Sequence, residues 1–89
     1  MIDDNWRPRR TIGTFTRRSE TGILIETYHD GYQVNEAGAF IWSMVGGEHS
    51  VADITAQLAG RYELDAGYAH TVLVDFLTEL RDRGFISKD

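Results

Sequence analysis

The sequence predicts an α+β fold in which a three-stranded antiparallel sheet is followed by three α-helices. The first part of the chain alternates short runs of β-branched and aromatic residues with polar turns, a pattern typical of short strands. The rest carries apolar residues at spacings of three and four behind helix-capping residues. Because three strands with one apolar face are not stable alone, we expect the helices to cover that face and leave at least one sheet edge open.

The strands are expected at residues 11–16, 23–28 and 32–34, with a polar turn at residues 17–22. The dipeptide Asp30-Gly31 predicts a tight hairpin turn, because glycine accepts the positive φ that such turns need. The third strand then returns antiparallel to the second. Side chains alternate along a strand, so Tyr32 and Val34 share one face and Gln33 lies on the other.

The helices are expected at residues 36–45, from residue 51 onward, and at residues 68–83. Asn35 and Ser50 stand where a side-chain oxygen can accept a hydrogen bond from the first helical turn. Gly84 ends the third helix because glycine tolerates the left-handed conformation found there. We expect residues 85–86 to fold back as an apolar tail.

Composition excludes several classes of protein. The 89 residues are enough for one domain, and a net charge of -5 disfavours nucleic-acid binding, which depends on neutralising phosphates. The absence of cysteine excludes a disulfide scaffold, a thiolate metal site and a thiol nucleophile. No apolar run reaches the roughly 20 residues of a membrane span, and the start of the chain lacks a signal-peptide pattern. We therefore expect a cytoplasmic protein that binds neither nucleic acid nor membrane.

Candidate catalytic groups are sparse. The three histidines, His29, His49 and His70, match no metal-ligand spacing. Asp75 and Glu79 are four residues apart on the third helix, a spacing that can serve acid–base chemistry, but nothing in the sequence would remove either carboxylate from water. We expect no catalytic residue, no metal and no cofactor, and hence no enzyme.

Charge divides the chain unevenly. Through Arg18, five arginines against two aspartates give +3, whereas the remainder, with four bases and twelve acids, carries -8. We expect a basic arm over residues 1–10, followed by a single domain over residues 11–89. Such an arm is either a solvated lead-in or a contact for a partner.

The third strand and third helix are the best candidates for a binding site. Tyr28, Tyr32 and Val34 place apolar or amphipathic side chains near the open strand edge. Val72 and Phe76 form an apolar row on the third helix. A second row consists of leucines at positions 73, 77 and 80. Since one buried face needs only one row, the other is expected to border a groove.

Several segments also carry a family resemblance: DGYQVN at residues 30–35, AGAFIW at 37–42, the glycine pair 46–47, SVADI at 50–54, FL at 76–77 and GFI at 84–86. Their order and intervals, from about residue 11 to residue 87, resemble PqqD-like proteins. These proteins are the precursor-recognition elements of ribosomally made, post-translationally modified peptides, and they share a winged-helix-like fold of three strands and three helices.

The resemblance implies binding rather than catalysis. In the family, the leader part of the precursor adds as an antiparallel strand to the third strand and lies against the third helix. The implied peptide-binding residues are Tyr28, Tyr32, Gln33, Val34, Val72, Asp75, Phe76 and Glu79. Val34 stands where leucine is usual, and Val72 where an aspartate is frequent. The acidic Asp75 and Glu79 would favour a basic or neutral leader segment.

The resemblance also implies partners. A small separate protein of this kind resembles the leader-binding proteins of lasso-peptide clusters, which pass the precursor to a leader peptidase and an ATP-dependent cyclase. The alternatives are a peptide chaperone for a radical enzyme in pyrroloquinoline quinone-type biosynthesis, a winged-helix DNA-binding protein and a purely structural subunit. The sequence leaves the pathway, the leader sequence and the oligomeric state open.

Overall fold

The computed structural model describes residues 2–87. Its elements are β1 (Phe15–Arg18), β2 (Gly22–Glu26), β3 (Gly31–Asn35), α1 (Glu36–Trp42), α2 (Val51–Tyr62) and α3 (Ala66–Asp82). The sheet is antiparallel with the order β1-β2-β3, so the predicted α+β arrangement of three strands and three helices is confirmed. Winged-helix-like describes it only loosely.

One face of the sheet builds the core together with the helices. Ile25 pairs with Tyr32 and Ile23 with Val34, so the apolar residues of β2 and β3 share that face. The predicted leucine row of α3 is fully buried on the same side: Leu73, Leu77 and Leu80. Phe85 and Ile86, just past α3, are buried as well, which confirms the predicted apolar tail.

The helix starts follow the capping residues. The Asn35 side chain accepts a hydrogen bond from the Gly38 backbone N–H at 2.9 Å, and Ser50 forms a reciprocal capping box with Asp53. The helix α1 ends at Trp42, three residues before the predicted end. Beyond it the backbone tightens, because the Val45 N–H bonds to the carbonyl of Trp42, three residues back rather than four.

The predicted position of the first strand is wrong: β1 covers Phe15–Arg18 and not residues 11–16. All four of its residues are exposed, so apolar alternation does not mark it. Its arginines pair with neighbouring elements instead of forming a turn. Arg17 lies 3.1 Å from Glu26 on β2, and Arg18 lies 3.6 Å from Glu36 on α1.

The predicted hairpin between β2 and β3 is confirmed, but the placement of Gly31 in its turn is wrong: Gly31 is already the first residue of β3, and the turn spans residues 27–30. The Thr27 N–H bonds to the Asp30 carbonyl at 2.8 Å, and the Thr27 hydroxyl accepts hydrogen bonds from two turn amides, those of His29 and Asp30. Because a side-chain oxygen accepts the hydrogen bonds of the turn amides, this turn does not need a glycine at positive φ.

The N-terminal segment lies along the helices. The carbonyls of Asp4 and Trp6 accept hydrogen bonds from the backbone N–H groups of Ala52 and Val51, which open α2 and lack partners within it. The Arg10 guanidinium stacks over the Trp42 ring at 4.4 Å, and its partial burial lowers the pKa of Arg10. The division into an arm over residues 1–10 and a domain over 11–89 stays a prediction.

Candidate functional site

Strand β3 lies at an edge of the sheet, with β2 on one side and no strand of residues 2–87 on the other. Along an antiparallel pair of strands, hydrogen-bonded and non-hydrogen-bonded residue pairs alternate. The backbone hydrogen bond between Thr27 and Asp30 shows which pairs are hydrogen-bonded, so Tyr32 and Val34 direct their backbone groups at β2. Gln33 directs its N–H and carbonyl at the open edge. The Gly31 carbonyl and the Asn35 N–H face the same way.

A cavity of about 290 Å³ adjoins this edge. Three elements line it: β3 through Tyr32, Gln33, Val34 and Asn35, α1 through Ala37, Gly38 and Ile41, and α3 through Val72 and Phe76. No lining side chain carries a charge. The arrangement is an apolar groove beside an unpaired strand edge, which suits an extended peptide.

The structure brings together five of the eight predicted site residues: Tyr32, Gln33, Val34, Val72 and Phe76. The other three lie outside the lining. Tyr28 is 93% exposed in the turn before β3, where its ring contacts His29 edge-on. Asp75 and Glu79 are exposed on α3. The role of all eight in peptide binding stays a prediction.

The side chain of Gln33 is hydrogen-bonded within the protein, so only its backbone groups are open to a partner at the strand edge. Its amide nitrogen donates to the Ser19 hydroxyl at 2.5 Å and to the Ile23 carbonyl at 3.2 Å. These partners hold the side chain over the sheet, while the next residues on either side, Tyr32 and Val34, face the core. The backbone groups of Gln33 therefore remain directed at the open edge.

An aromatic cluster holds Tyr32 in place. Its ring stacks near Phe76, with centroids 6.4 Å apart, and near Phe85, with centroids 6.2 Å apart. The Arg83 guanidinium lies 4.3 Å from the centroid of the same ring. Phe85 is fully buried, so the cluster joins the groove to the core. Tyr32 is thereby fixed against the end of α3.

Arg83, which the sequence analysis did not single out, lies beside the groove: it contacts the Tyr32 ring but is not one of the lining residues. Its Nε donates to Glu79 Oε2 at 2.6 Å, and its Nη1 lies 3.5 Å from Asp30 Oδ2. The hydrogen bond to Glu79 raises the pKa of Arg83 above its ordinary value, which already keeps an arginine charged at neutral pH. Glu79 is consequently paired, and of the two predicted acids only Asp75 has no ion pair among the described residues. The spacing of Glu79 and Arg83, four residues apart on a helix, was the available signal.

The floor of the groove was missed as well. Ala37, Gly38 and Ile41 come from α1, which the sequence analysis treated only as a core helix. Gly38 was the available signal. A glycine inside a helix makes the helix less stable than an alanine would, so its presence indicates that a neighbouring group occupies the space of a side chain.

Within residues 2–87, no three histidine or acidic side chains come together in a way that would hold a metal ion. None of the described helices has the length and apolar character needed to cross a membrane.

The fold and the groove together define a small α+β domain with one open strand edge beside an apolar cavity. The sequence model of the family described as coenzyme PQQ synthesis protein D (PqqD) matches residues 20–86, and the chain belongs to that family. No curated protein shows significant similarity to the sequence.

Three solved structures share the fold. The first, a lasso peptide synthetase B1 complexed with the leader peptide, has a TM-score of 0.81 and 20% identity, over 91% of this chain and 98% of its own. The second, TbiB1 in complex with the TbiA(beta) leader peptide, has a TM-score of 0.81 and 14% identity, over 91% and 96%. The third, the PqqD truncation of Methylobacterium extorquens PqqCD, described as a functional and stand-alone recognition element, has a TM-score of 0.84 and 16% identity, over 99% and 96%.

Proposed function

We propose that this protein binds the leader segment of a ribosomally synthesised precursor peptide and presents it to separate modifying enzymes. The leader adds as an antiparallel strand to β3, and its apolar side chains enter the groove between β3, α1 and α3. The observation that carries the proposal is the juxtaposition of an open strand edge with an apolar cavity of about 290 Å³. Two of the structures that share the fold are complexes with leader peptides.

The energetics divide the task between backbone and side chains. The edge offers four groups: the Gly31 carbonyl, both backbone groups of Gln33 and the Asn35 N–H. At about 1 kcal/mol net each, four hydrogen bonds give roughly millimolar affinity. Two buried apolar anchors at about 1.5–3 kcal/mol each bring the complex to about micromolar or tighter. The anchors in the leader therefore carry the specificity.

Electrostatics favour a leader that is basic or neutral beside α3. Asp75 is exposed near the groove, and Glu79 and Asp30 share the single cation of Arg83. The excess of acid at this end repels an acidic leader segment.

The proposed role is delivery of the peptide, with the chemistry left to other proteins. The enzymes that receive it are a leader peptidase and a cyclase, in keeping with the lasso peptide structures of the same fold. A second candidate is a chaperone role toward a radical enzyme in pyrroloquinoline quinone-type biosynthesis, which the description of the matched family favours. Both roles use the same groove and place the protein in the cytoplasm.

A DNA-binding role fits the charges poorly. The two arginines near the end of α3 have acidic neighbours, since Arg81 lies 4.0 Å from Asp82 and Arg83 lies 2.6 Å from Glu79. A helix that reads DNA needs cations free to meet phosphates. We therefore propose a peptide partner and no nucleic acid.

Titration with a synthetic leader peptide, taken from a precursor encoded beside this gene, tests the proposal. Fluorescence anisotropy should give a dissociation constant near micromolar or below, and a scrambled leader of the same composition is the control. Two singly N-methylated leaders sharpen the test, because only alternate amides face a neighbouring strand. One methyl should weaken binding at least about tenfold and the methyl on the adjacent amide should have little effect. Failure of every neighbouring precursor to bind contradicts the proposal.

A further inference from the structure

The segment over residues 7–18 is the most basic part of the chain, and it lies fixed against the rest of the protein. It contains five arginines and no acidic residue, whereas the remainder beyond it, with four bases and twelve acids, carries -8. Backbone hydrogen bonds hold its first half in place. The Pro8 carbonyl accepts one from the Gly47 N–H at 2.9 Å, and the Thr11 N–H donates one to the Phe85 carbonyl at 3.0 Å. The first arginines are therefore carried on a backbone that is bonded to the protein.

Three of these arginines have no carboxylate partner. The two that lie in β1 form ion pairs with glutamates. The other three form no ion pair within residues 2–87: Arg7, Arg9 and Arg10. Arg10 stacks over the Trp42 ring, and the Trp42 Nε1 donates to the Thr16 hydroxyl on β1, so this cation lies close to the strand. Cations without a carboxylate in their own protein favour a partner that supplies one, so the segment fits an acidic surface.

The same segment exposes two hydrocarbon side chains. Within residues 2–87 five large apolar side chains are exposed, and three of them are tyrosines, whose hydroxyl groups can bond to water. The other two are Ile12, which is fully exposed, and Phe15, which is 66% exposed. Apolar side chains together with arginines are typical of protein–protein interfaces. We call this set of five residues the β1 surface: Arg7, Arg9, Arg10, Ile12 and Phe15.

The register of the sheet relates the β1 surface to a bound leader. Phe15 pairs with Glu26, and Glu26 pairs with Gly31 at the start of β3, so the three residues form one row across the sheet. Neighbouring strands are about 4.8 Å apart, which places Phe15 about 10 Å from Gly31. A leader that runs antiparallel to β3 has its C-terminal end beside Gly31. The part of the precursor that follows the leader therefore leaves the protein at the same end of the sheet as Phe15.

We propose that the β1 surface is the docking site for the leader peptidase, which must reach the bond that follows the leader. The peptidase surface that fits is acidic, with an apolar recess for Ile12 and Phe15. Strand β2 separates β1 from β3, so the docked enzyme leaves the leader in place. Nucleic acid also binds arginine clusters, but its phosphates offer nothing to two hydrocarbon side chains. This inference rests on the proposed function and names the surface that one partner enzyme uses.

Binding of the purified leader peptidase encoded beside this gene tests the inference. Biolayer interferometry is performed on the full chain saturated with leader peptide. Ile12→Ser combined with Phe15→Ser should raise the dissociation constant of the peptidase at least about tenfold, and so should Arg7→Glu combined with Arg9→Glu. The affinity for the leader, which also reports correct folding, should stay within about twofold of wild type, because none of the four residues lines the groove.

The chain supplies a matched control for each change. Tyr68 on α3 is 60% exposed, nearly as much as Phe15, and Arg61 on α2 forms no ion pair with another described residue. Tyr68→Ser removes an exposed ring, and Arg61→Glu reverses an unpaired charge, both away from the β1 surface. Neither should change the affinity for the peptidase by more than about twofold.

The inference is overturned if the peptidase does not bind the leader-loaded wild-type protein, or if the control variants weaken its binding as much as the β1 variants do. Binding of a short DNA duplex that Arg7→Glu combined with Arg9→Glu abolishes, with no effect on the peptidase, would assign these arginines to nucleic acid instead. If the wild-type protein binds no leader, the proposed function fails and this inference fails with it. Normal leader binding with equal peptidase affinity in all variants overturns this inference alone.

Discussion

Replacing Phe76 by alanine should weaken peptide binding much more than it weakens the fold. Phe76 is partly buried in the free protein, stacks near Tyr32 and lines the groove, so a peptide bound there as proposed would cover the remainder of its ring. Covering about half of a phenylalanine contributes about 1–1.5 kcal/mol, and a favourable ring contact adds about 0.5–1.5 kcal/mol. We expect a total loss of about 1.5–3 kcal/mol, a dissociation constant raised about 10- to 150-fold.

The matched control is Val74→Ala on the same helix. Val74 is also partly buried, but it does not line the groove. Phe76 packs against the core whereas Val74 is not among the side chains that do, so Phe76→Ala should lower the thermal midpoint by several degrees and Val74→Ala by less. Only Phe76→Ala should change the affinity for the leader, measured by isothermal titration calorimetry with thermal circular dichroism on the same samples. Equal affinity of Phe76→Ala and the wild-type protein, or equal losses in the two variants, would refute the assignment of this groove.

Three further changes test other parts of the structure. Gly22→Ala should abolish cooperative unfolding in thermal circular dichroism, because its Cβ would collide with the carbonyl oxygen of Val34; a normal melting curve would contradict the β2–β3 register. Trp42→Phe removes the hydrogen bond from its Nε1 to the Thr16 hydroxyl, 2.9 Å long, and should cost about 1–2 kcal/mol in urea unfolding. Arg83→Ala should weaken leader binding several-fold without changing the far-ultraviolet spectrum, because Tyr32 loses the cation stacked on its ring. An arginine is charged throughout the range from pH 6 to pH 9, and the hydrogen bond to Glu79 raises the pKa of Arg83 further, so titration of this group should not change the wild-type affinity in that range.

Most of the fold could be predicted because its elements bury one face. The leucine row of α3 and the Ile23–Ile25 strand pack into the core, and Asn35 and Ser50 mark helix starts through their side-chain oxygens. The strand β1 could not be placed in the same way. It is exposed throughout and is joined to β2 by antiparallel backbone pairing, with only an exposed ion pair such as Arg17–Glu26 between the side chains, so its sequence carries no apolar period.

The site was predicted in part for a related reason. Val72 and Phe76 stand out because they form a second apolar row on one helix, and they do line the groove. The floor on α1 and the cation over Tyr32 depend on how distant segments meet. Gly38 approaches Phe76 across the fold, and Arg83 reaches back to the turn before β3. Spacing along the chain does not report such contacts.

Amide hydrogen exchange along β3 tests the central claim most directly. In the free protein the Gln33 N–H faces the open edge of the sheet, and the Arg18 N–H faces the opposite edge, beyond β1. Saturating leader peptide should slow exchange at Gln33 at least about tenfold, as a new hydrogen bond protects it, and should leave Arg18 unchanged. Protection at Arg18 with none at Gln33, or no protection at either amide in a saturated complex, would contradict strand addition to β3.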